Sequence, residues 1–199
     1  FAECYQVYRE SVDRIVRERP DGLALDLGCG TGKQTVLLTR RPGRVVGIDI
    51  SDQMIEAARR RCNGRSNVSL VTGDITKLPF EDGCAQAMVA YGDVIGHNFT
   101  AVDVVLREMA RVCAPRGLIS FEVDSKWCPD LVYLPKELWQ AMRTRGGHLR
   151  EWKEMQFKTF TGREITRLLP APGLRLVDVR SMNILTMLFP PSLLFRQRQ

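Results

Sequence analysis

Seven residues, Asp26-Leu27-Gly28-Cys29-Gly30-Thr31-Gly32, join a carboxylate to three alternating glycines just after the apolar run Leu23-Ala24-Leu25. Glycines at this spacing let a backbone turn sharply and let a ligand approach the main chain closely. A helix that follows them offers free N–H groups and the positive end of its dipole. The spacing decides which ligand. A dinucleotide fingerprint G-x-G-x-x-G needs a third glycine where Lys33 stands, and a phosphate-binding P-loop needs a glycine at Leu27 and a hydroxyl at Gln34. Both patterns fail, and a nicotinamide dehydrogenase is excluded with them. Asp26 would also repel a pyrophosphate, so the loop suits a ligand that carries an ammonium group.

Two more acids follow in register. Asp49 closes Val45-Val46-Gly47-Ile48, where a carboxylate can accept from both hydroxyls of a cis diol. Asp74 closes Val68 to Thr72 in Thr72-Gly73-Asp74-Ile75 and can accept from an exocyclic amine such as that of adenine. Each acid alone reads as a cap or turn residue. Three of them at successive strand ends, behind a glycine loop, read as one ligand site. His97, in Tyr91-Gly92-Asp93-Val94-Ile95-Gly96-His97-Asn98, is the candidate general base, against the plainer reading of a loop histidine with a structural hydrogen bond. Asp93 is a candidate helix cap or substrate contact. His148, after Gly146-Gly147, is a candidate pocket residue.

The elements that must position these residues alternate. Helical spacing of Tyr8, Val12, Ile15 and Val16 predicts a helix over 3–19. Strands are expected at 23–27, 45–48, 68–72, 85–91 and 118–123, and helices at 33–40, from Ser51 or Asp52 to 61, and at 101–113 with Val102, Val105, Leu106 and Met109 buried. That rhythm predicts an α/β fold: a Rossmann-like, doubly wound, mostly parallel sheet with helices on both faces. Beyond Asp124 the rhythm breaks. Residues 126–153 hold all three tryptophans (Trp127, Trp139, Trp152), Tyr133 and a predicted helix over 135–145. This C-terminal aromatic insertion is expected to form a substrate lid within a single domain spanning 1–199, and the plainer reading is that its rings pack it onto the sheet. Strands at 157–160 and 174–179 flank a helix opened by the capping box Thr161-Gly162-Arg163-Glu164.

Composition sets the remaining bounds. With 44% apolar and 26% charged residues, the 199-residue chain can bury a core without disulfides. Six scattered cysteines without a C-x-x-C pair, and no histidine near one, predict reduced thiols and no metal site. No stretch reaches the roughly 20 apolar residues of a membrane span, and the first residues lack a signal-peptide layout. A cytoplasmic protein with no membrane partner is expected. Residues 1–100 carry thirteen basic and thirteen acidic side chains, so the net charge of +6 lies in residues 101–199. Scattered surface arginines, an acidic substrate and RNA all fit that excess.

Leu25-Asp26-Leu27-Gly28-Cys29-Gly30-Thr31-Gly32, Asp49, and Gly73-Asp74-Ile75-Thr76-Lys77-Leu78-Pro79-Phe80 together resemble the motifs of class I S-adenosylmethionine-dependent methyltransferases. Glu108-Met109-Ala110-Arg111-Val112 with Pro115-Arg116-Gly117 is similar to the segment that follows in the small-molecule branch of that family. The likeness implies S-adenosylmethionine as cofactor. Asp26, Gly28, Gly30 and Gly32, with Cys29 among them, would surround its methionine part. Asp49 would bind its ribose, Ile50 would lie against adenine with Met54 in the same cofactor-binding set, and Gly73, Asp74 and Ile75 would meet the adenine edge. Tyr91 and Gly92 would line the sulfonium region, and Tyr5 and Tyr8 would line the pocket, since the first helix covers the cofactor in similar proteins. The implied activity is methyl transfer to a small molecule by direct displacement, ahead of an RNA-modifying enzyme and of a non-catalytic cofactor-binding subunit. One departure stands out: family members end in a strand hairpin, and only 174–179 and, less clearly, Ile184 to Phe189 are available for it here.

Overall fold

The computed structural model describes residues 2–128, 131, 133–152, 154–169 and 174–180. Helix α1 (Ala2–Glu18) leads into β1 (Leu23–Leu27), α2 (Lys33–Leu38), β2 (Val45–Asp49), α3 (Asp52–Cys62) and β3 (Val68–Thr72). The second half of the sheet is β4 (Ala85–Ala90), the short α4 (Val94–His97), α5 (Val102–Val112) and β5 (Cys113–Phe121). These five strands form one parallel sheet in the order β3-β2-β1-β4-β5. The order reverses between β1 and β4, so the carboxyl ends of β1, β2 and β4 open onto one crevice.

Side-chain alternation divides the core into two layers. Leu25 and Leu27 of β1 pack with Met88 and Ala90 of β4 against Val105, Leu106 and Met109 of α5. Ala24 faces the other way, with Val45, Ala87, Val89 and Tyr91, against Val12 and Ile15 of α1 and Leu38 of α2. Helices therefore cover both faces of the sheet. Each large apolar side chain on these faces contributes about 1.5–3 kcal/mol by leaving water. The buried face predicted for α5 is the one observed.

The helix predicted over 33–40 stops at Leu38, because Pro42 disfavours helical backbone at the residue before it and the chain turns at Thr39 and Arg40. No helix links β3 to β4. Loop 73–84 instead buries Ile75 and Leu78 on the α5 layer. Glu108 accepts from the Leu78 N–H (2.8 Å), and Arg111 donates to the carbonyls of Leu78 (3.0 Å) and Phe80 (2.8 Å). Pro115-Arg116-Gly117, between the helix predicted over 101–113 and the strand predicted over 118–123, lies within β5 as an irregularity: the register slips between Ala85↔Cys113 and Ala87↔Leu118, and Arg116 has φ +64°.

The aromatic insertion is an excursion that leaves and rejoins the sheet at one point. Helix α6 (Pro135–Arg143) is followed by β6 (His148–Trp152) and β7 (Met155–Thr159), an antiparallel hairpin; β6 was not foreseen. The backbone then returns alongside the end of β5, with Phe160 N–H donating to Asp124 O (2.9 Å) and Lys126 N–H to Phe160 O (3.0 Å). The hairpin thus carries the excursion on to residue 159, past the expected boundary at 153. Helix α7 (Gly162–Leu168) opens with the predicted capping box: Glu164 N–H donates to Thr161 Oγ1, and Glu164 accepts from the Thr161 N–H. Glu164 also takes the buried Lys126 Nζ (2.8 Å) and the Gly146 N–H (3.2 Å), which ties the excursion to α7.

The strand expected over 174–179 is not formed. Residues 174–180 have no regular structure, and Leu176, Val177 and Val179 are exposed. An extended apolar run becomes a strand only when a ladder takes up its backbone groups, and among the described residues no strand pairs with the outer edge of β5. Ile184 to Phe189 and the Tyr5 side chain lie outside the described residues.

Candidate functional site

The glycine loop closes over the end of β1. Gly28 has φ +65°, and a Cβ there would lie 2.4 Å from Val94 Cγ2, so the loop and α4 meet only because the residue is glycine. At Gly30, φ is +50° and nothing lies within 4 Å of a Cβ, which leaves room for a ligand against the main chain. Gly32 sits 3.0 Å, by the same measure, from Ala58 of α3 and begins α2.

Asp49 stands at the tip of β2, and its two oxygens grip the loops on either side. Oδ2 accepts from the Gly30 N–H (2.8 Å) and Oδ1 from the Ser51 N–H (3.0 Å). Each oxygen keeps a second lone pair for a further donor. Next to it Ile50 is 76% exposed, an apolar face with nothing on it. Met54, part-exposed, starts α3 one turn on, with its N–H directed to the Ser51 hydroxyl (3.4 Å). Gly73 N–H bonds to Asp49 O (2.9 Å), which holds the β3 loop beside the same tip. Asp74 is exposed and accepts from the Thr76 N–H (2.8 Å), a turn contact that leaves its other oxygen facing outward. The Ile75 side chain is buried in the core, so only its backbone is available to a ligand.

Asp26 is placed differently from Asp49 and Asp74. It shares a face with Ala24, so it points beneath α2, is only 2% exposed, and accepts from Thr35 Oγ1 at 2.5 Å. Burial pushes its pKa up to about 7. Its carboxyl supports the loop from below instead of lining the crevice. Cys29 is buried beside Asp26 and Asp49, and burial, with those two acids, raises its thiol pKa further from the reactive range. Its backbone contributes more than its sulfur: Cys29 N–H bonds to Ile48 O (2.9 Å) and Gly32 N–H to Cys29 O (2.9 Å).

The end of β4 forms the other wall. The Tyr91 ring stacks on Tyr8 of α1 (centroids 4.5 Å apart), and its hydroxyl bonds to Ser120 Oγ (2.6 Å). Gly92 takes φ +90° and Asp93 φ +55°. Glu122, just past β5, accepts from the N–H groups of Gly92 (2.7 Å) and Asp93 (2.8 Å) and from the Tyr8 hydroxyl. One side chain thus fixes α1 and the β4 turn together. Sequence reasoning passed over Glu122; the available signal was an acid at the end of the fifth strand, in Phe121-Glu122-Val123-Asp124.

Asp93 holds the N-terminal position of α4 without a side-chain cap bond. It is 9% exposed, and burial together with Asp124 and Glu122 pushes its pKa up to about 8. His97, one turn later, has Nδ1 2.8 Å from Asp93 O and 3.3 Å from Asp93 Oδ2. A carbonyl can only accept, so this contact puts a proton on Nδ1, and Nε2 is the acceptor of the neutral form of the ring. The His97 ring is part-exposed and lies 6.2 Å from Phe157 of β7, so the excursion reaches the candidate base. His148 is buried within the hairpin, and burial lowers its pKa, which keeps it neutral.

A cleft of about 1960 Å³ begins at Gly28, Gly30, Tyr91 and Gly92 and continues around the outer edge of β5 to α7 and residues 174–180. It exceeds a single ligand pocket because it joins the loop crevice to that outer edge. Asp49 and Ile50 do not line this cleft; Asp49 adjoins it through the Gly30 N–H. Among the described residues no group of three or more His, Cys, Asp or Glu side chains could hold a metal ion. No helix there is long and apolar enough to cross a membrane.

This geometry fits an adenosyl ligand. Asp49 offers two acceptor oxygens, Ile50 an exposed apolar surface, and Gly30 an approach to the main chain that no side chain obstructs.

Comparison with known proteins agrees. Residues 24–117 match a family described as a methyltransferase domain. The chain is 30% identical over 196 aligned residues to the demethylmenaquinone methyltransferase of Staphylococcus aureus strain JH9, an alignment that covers 91% of this chain and 79% of that one. Its fold is similar to an S-adenosylmethionine-dependent methyltransferase of Methanosarcina mazei (TM-score 0.62, 21% identity, 78% of this chain and 81% of the other). It is also similar to the PH0226 protein of Pyrococcus horikoshii OT3 (TM-score 0.58, 25% identity, 83% and 80%). The small-molecule reading is thereby favoured over the RNA-modifying and non-catalytic alternatives, and S-adenosylmethionine is the cofactor. With that loop, that sheet order and these relatives, the chain belongs to the class I S-adenosylmethionine-dependent methyltransferases.

Proposed function

We propose that Asp49 and the glycine loop hold the adenosyl group, that the acceptor is an electron-rich aromatic ring of the hydroquinone type, and that it lies between α4 and the 126–159 excursion. The observation that carries the cofactor placement is the Asp49 carboxylate. It is already fixed to Gly30 and Ser51, so it meets two ribose hydroxyls without reorganising. Ile50 covers one face of the adenine. The Asp74 oxygen left free by Thr76 takes the exocyclic amine, and the Ile75 backbone meets the ring edge. Gly28, Gly30 and the Tyr91-Gly92 turn flank the methionine portion. When bound, the cofactor supplies a methyl group made electrophilic by a cationic sulfur.

The residues of the chain place the acceptor and handle its proton. In-line placement at about 3–3.5 Å supplies roughly 7–11 kcal/mol in favourable cases. His97, its Nδ1 proton fixed by Asp93, presents Nε2 to accept the proton that the acceptor sheds as it becomes nucleophilic. Phe157 and Trp127 give the excursion aromatic surface at this end of the sheet, and residues 126–153 act as the lid that keeps water from the reacting atoms. Support for a hydroquinone-type acceptor is the 30% identity to the S. aureus enzyme named for demethylmenaquinone. The test is release of S-adenosylhomocysteine with reduced demethylmenaquinone as acceptor. We expect turnover in the native chain and a 10²–10⁴-fold lower kcat in His97→Ala with unchanged cofactor affinity. Equal losses in both would reject His97 as the base, and no turnover with any quinol would reject the acceptor class.

A further inference from the structure

Helix α6 has an outward face that the proposed chemistry leaves unused. Its six exposed residues are Pro135, Lys136, Trp139, Gln140, Met142 and Arg143. At 100° per residue they span one continuous arc. Met142, Pro135 and Trp139 form its apolar edge, and Arg143 and Lys136 its basic edge. Trp139 is 57% exposed and Met142 65%, and the helix is preceded by Tyr133, 64% exposed, and Leu134. Arg143 lies over the Trp139 ring, 4.4 Å from its centroid, so charge and aromatic surface are presented together.

The acidic residue of this helix is withdrawn from that face. Glu137 is half-buried on the inner side and is neutralised by Arg150 of β6 at 3.0 Å. The outward arc therefore carries two cations and no anion. Residues 126–153 as a whole hold six basic and three acidic side chains. A face that only packed against another part of the protein would not need two cations beside a tryptophan. A nucleic-acid surface would not need exposed methionine and leucine. Aromatic and aliphatic side chains flanked by lysine and arginine, with acids excluded, match the boundary of an anionic lipid bilayer, where rings sit at headgroup depth and cations meet phosphates.

We infer that the outward face of α6, with Tyr133 and Leu134, docks on the surface of an anionic membrane. This departs from the sequence expectation of no membrane partner. It concerns a helix lying on the bilayer, not spanning it, and it stands on the surface pattern independently of the acceptor assignment. It also gives the excursion a second role: the segment that flanks His97 would face the phase in which apolar acceptors dissolve.

The test is co-sedimentation of the full chain with sucrose-loaded vesicles of phosphatidylcholine alone and of phosphatidylcholine with 50% phosphatidylglycerol, at low and at 0.5 M salt. We expect binding to the anionic vesicles that salt weakens, and much weaker binding to the neutral ones. Removing both cations (Lys136→Gln with Arg143→Gln) is expected to lower the partition coefficient about twenty-five-fold, roughly fivefold for each. Trp139→Ser with Met142→Ser is expected to lower it at least tenfold with unchanged helical circular dichroism. All four positions are exposed, so these variants fold. Failure of the native chain to bind anionic vesicles, equal binding to neutral ones, or undiminished binding by either double variant would overturn the proposal. Retained cofactor binding in the variants separates this outcome from failure of the cofactor assignment.

Discussion

Replacing Asp49 by asparagine changes one atom and isolates the proposed role of the carboxylate. In the native chain Oδ2 accepts from Gly30 and Oδ1 from Ser51. The amide of Asp49→Asn keeps one oxygen, so its nitrogen must face either the Gly30 or the Ser51 N–H, donor against donor. The loss divides between two readouts. One charge-assisted backbone bond, worth about 1.5–3 kcal/mol, disappears from the free protein and is read as lower thermal stability. One charge-assisted bond to a ribose hydroxyl, of the same size, disappears from the complex. That weakens S-adenosylhomocysteine binding roughly 10–150-fold by isothermal titration calorimetry. Asp103→Asn on α5, where the exposed carboxylate pairs with Arg107 at 2.8 Å, removes the same charge far from the loop and should leave the affinity unchanged. If Asp49→Asn binds S-adenosylhomocysteine within threefold of the native chain, the carboxylate does not hold the ligand and the reasoning fails.

Gly28→Ala puts a Cβ against Val94 at a residue with φ +65°, and strain plus overpacking predict about 2–5 kcal/mol of lost stability in urea unfolding, with weaker cofactor binding. A change below 0.5 kcal/mol would contradict the packing described. Asp93 has a folded-state pKa of about 8, above its unfolded value near 3.8, so its stabilising contribution is full below about pH 4 and lost as pH rises through about 8. The melting temperature of Asp93→Asn minus that of the native chain should therefore rise across that window and level off above it; a pH-independent difference refutes the assignment. Lys126→Met leaves Glu164, held down at about pKa 2 against its burial by Lys126 and Thr161, without its cation. We expect a loss of about 3–5 kcal/mol in chemical denaturation, and hydrogen exchange should report looser amides in 144–160.

The sheet and its glycine loop could be read from the sequence because both rest on local patterns. Short apolar runs ending in Asp26, Asp49 and Thr72 set the strands, and positive-φ turns require glycine. Asp26 shows where such reading stops. As a motif letter it belongs with Asp49, yet strand alternation places it with Ala24 on the α2 side, where Thr35 takes its carboxylate. Glu122 was missed, and Glu164 was read only as a capping-box residue, because their further partners are distant in sequence: Tyr8 is 114 residues from Glu122, and Lys126 is 38 from Glu164. Strand β6 was missed because His148-Leu149-Arg150-Glu151-Trp152 has little β-branched character and owes its conformation to β7. The reverse error arose at 174–179, where a good apolar pattern pairs with no strand among the described residues.

The most direct test of the central claim is a crystal structure of the chain with S-adenosylhomocysteine. The account predicts both ribose hydroxyls within hydrogen-bond distance of the Asp49 oxygens, adenine over Ile50, and the methionine portion across Gly28 and Gly30. An adenosyl group bound along the outer edge of β5, or one that leaves Asp49 untouched, would contradict it.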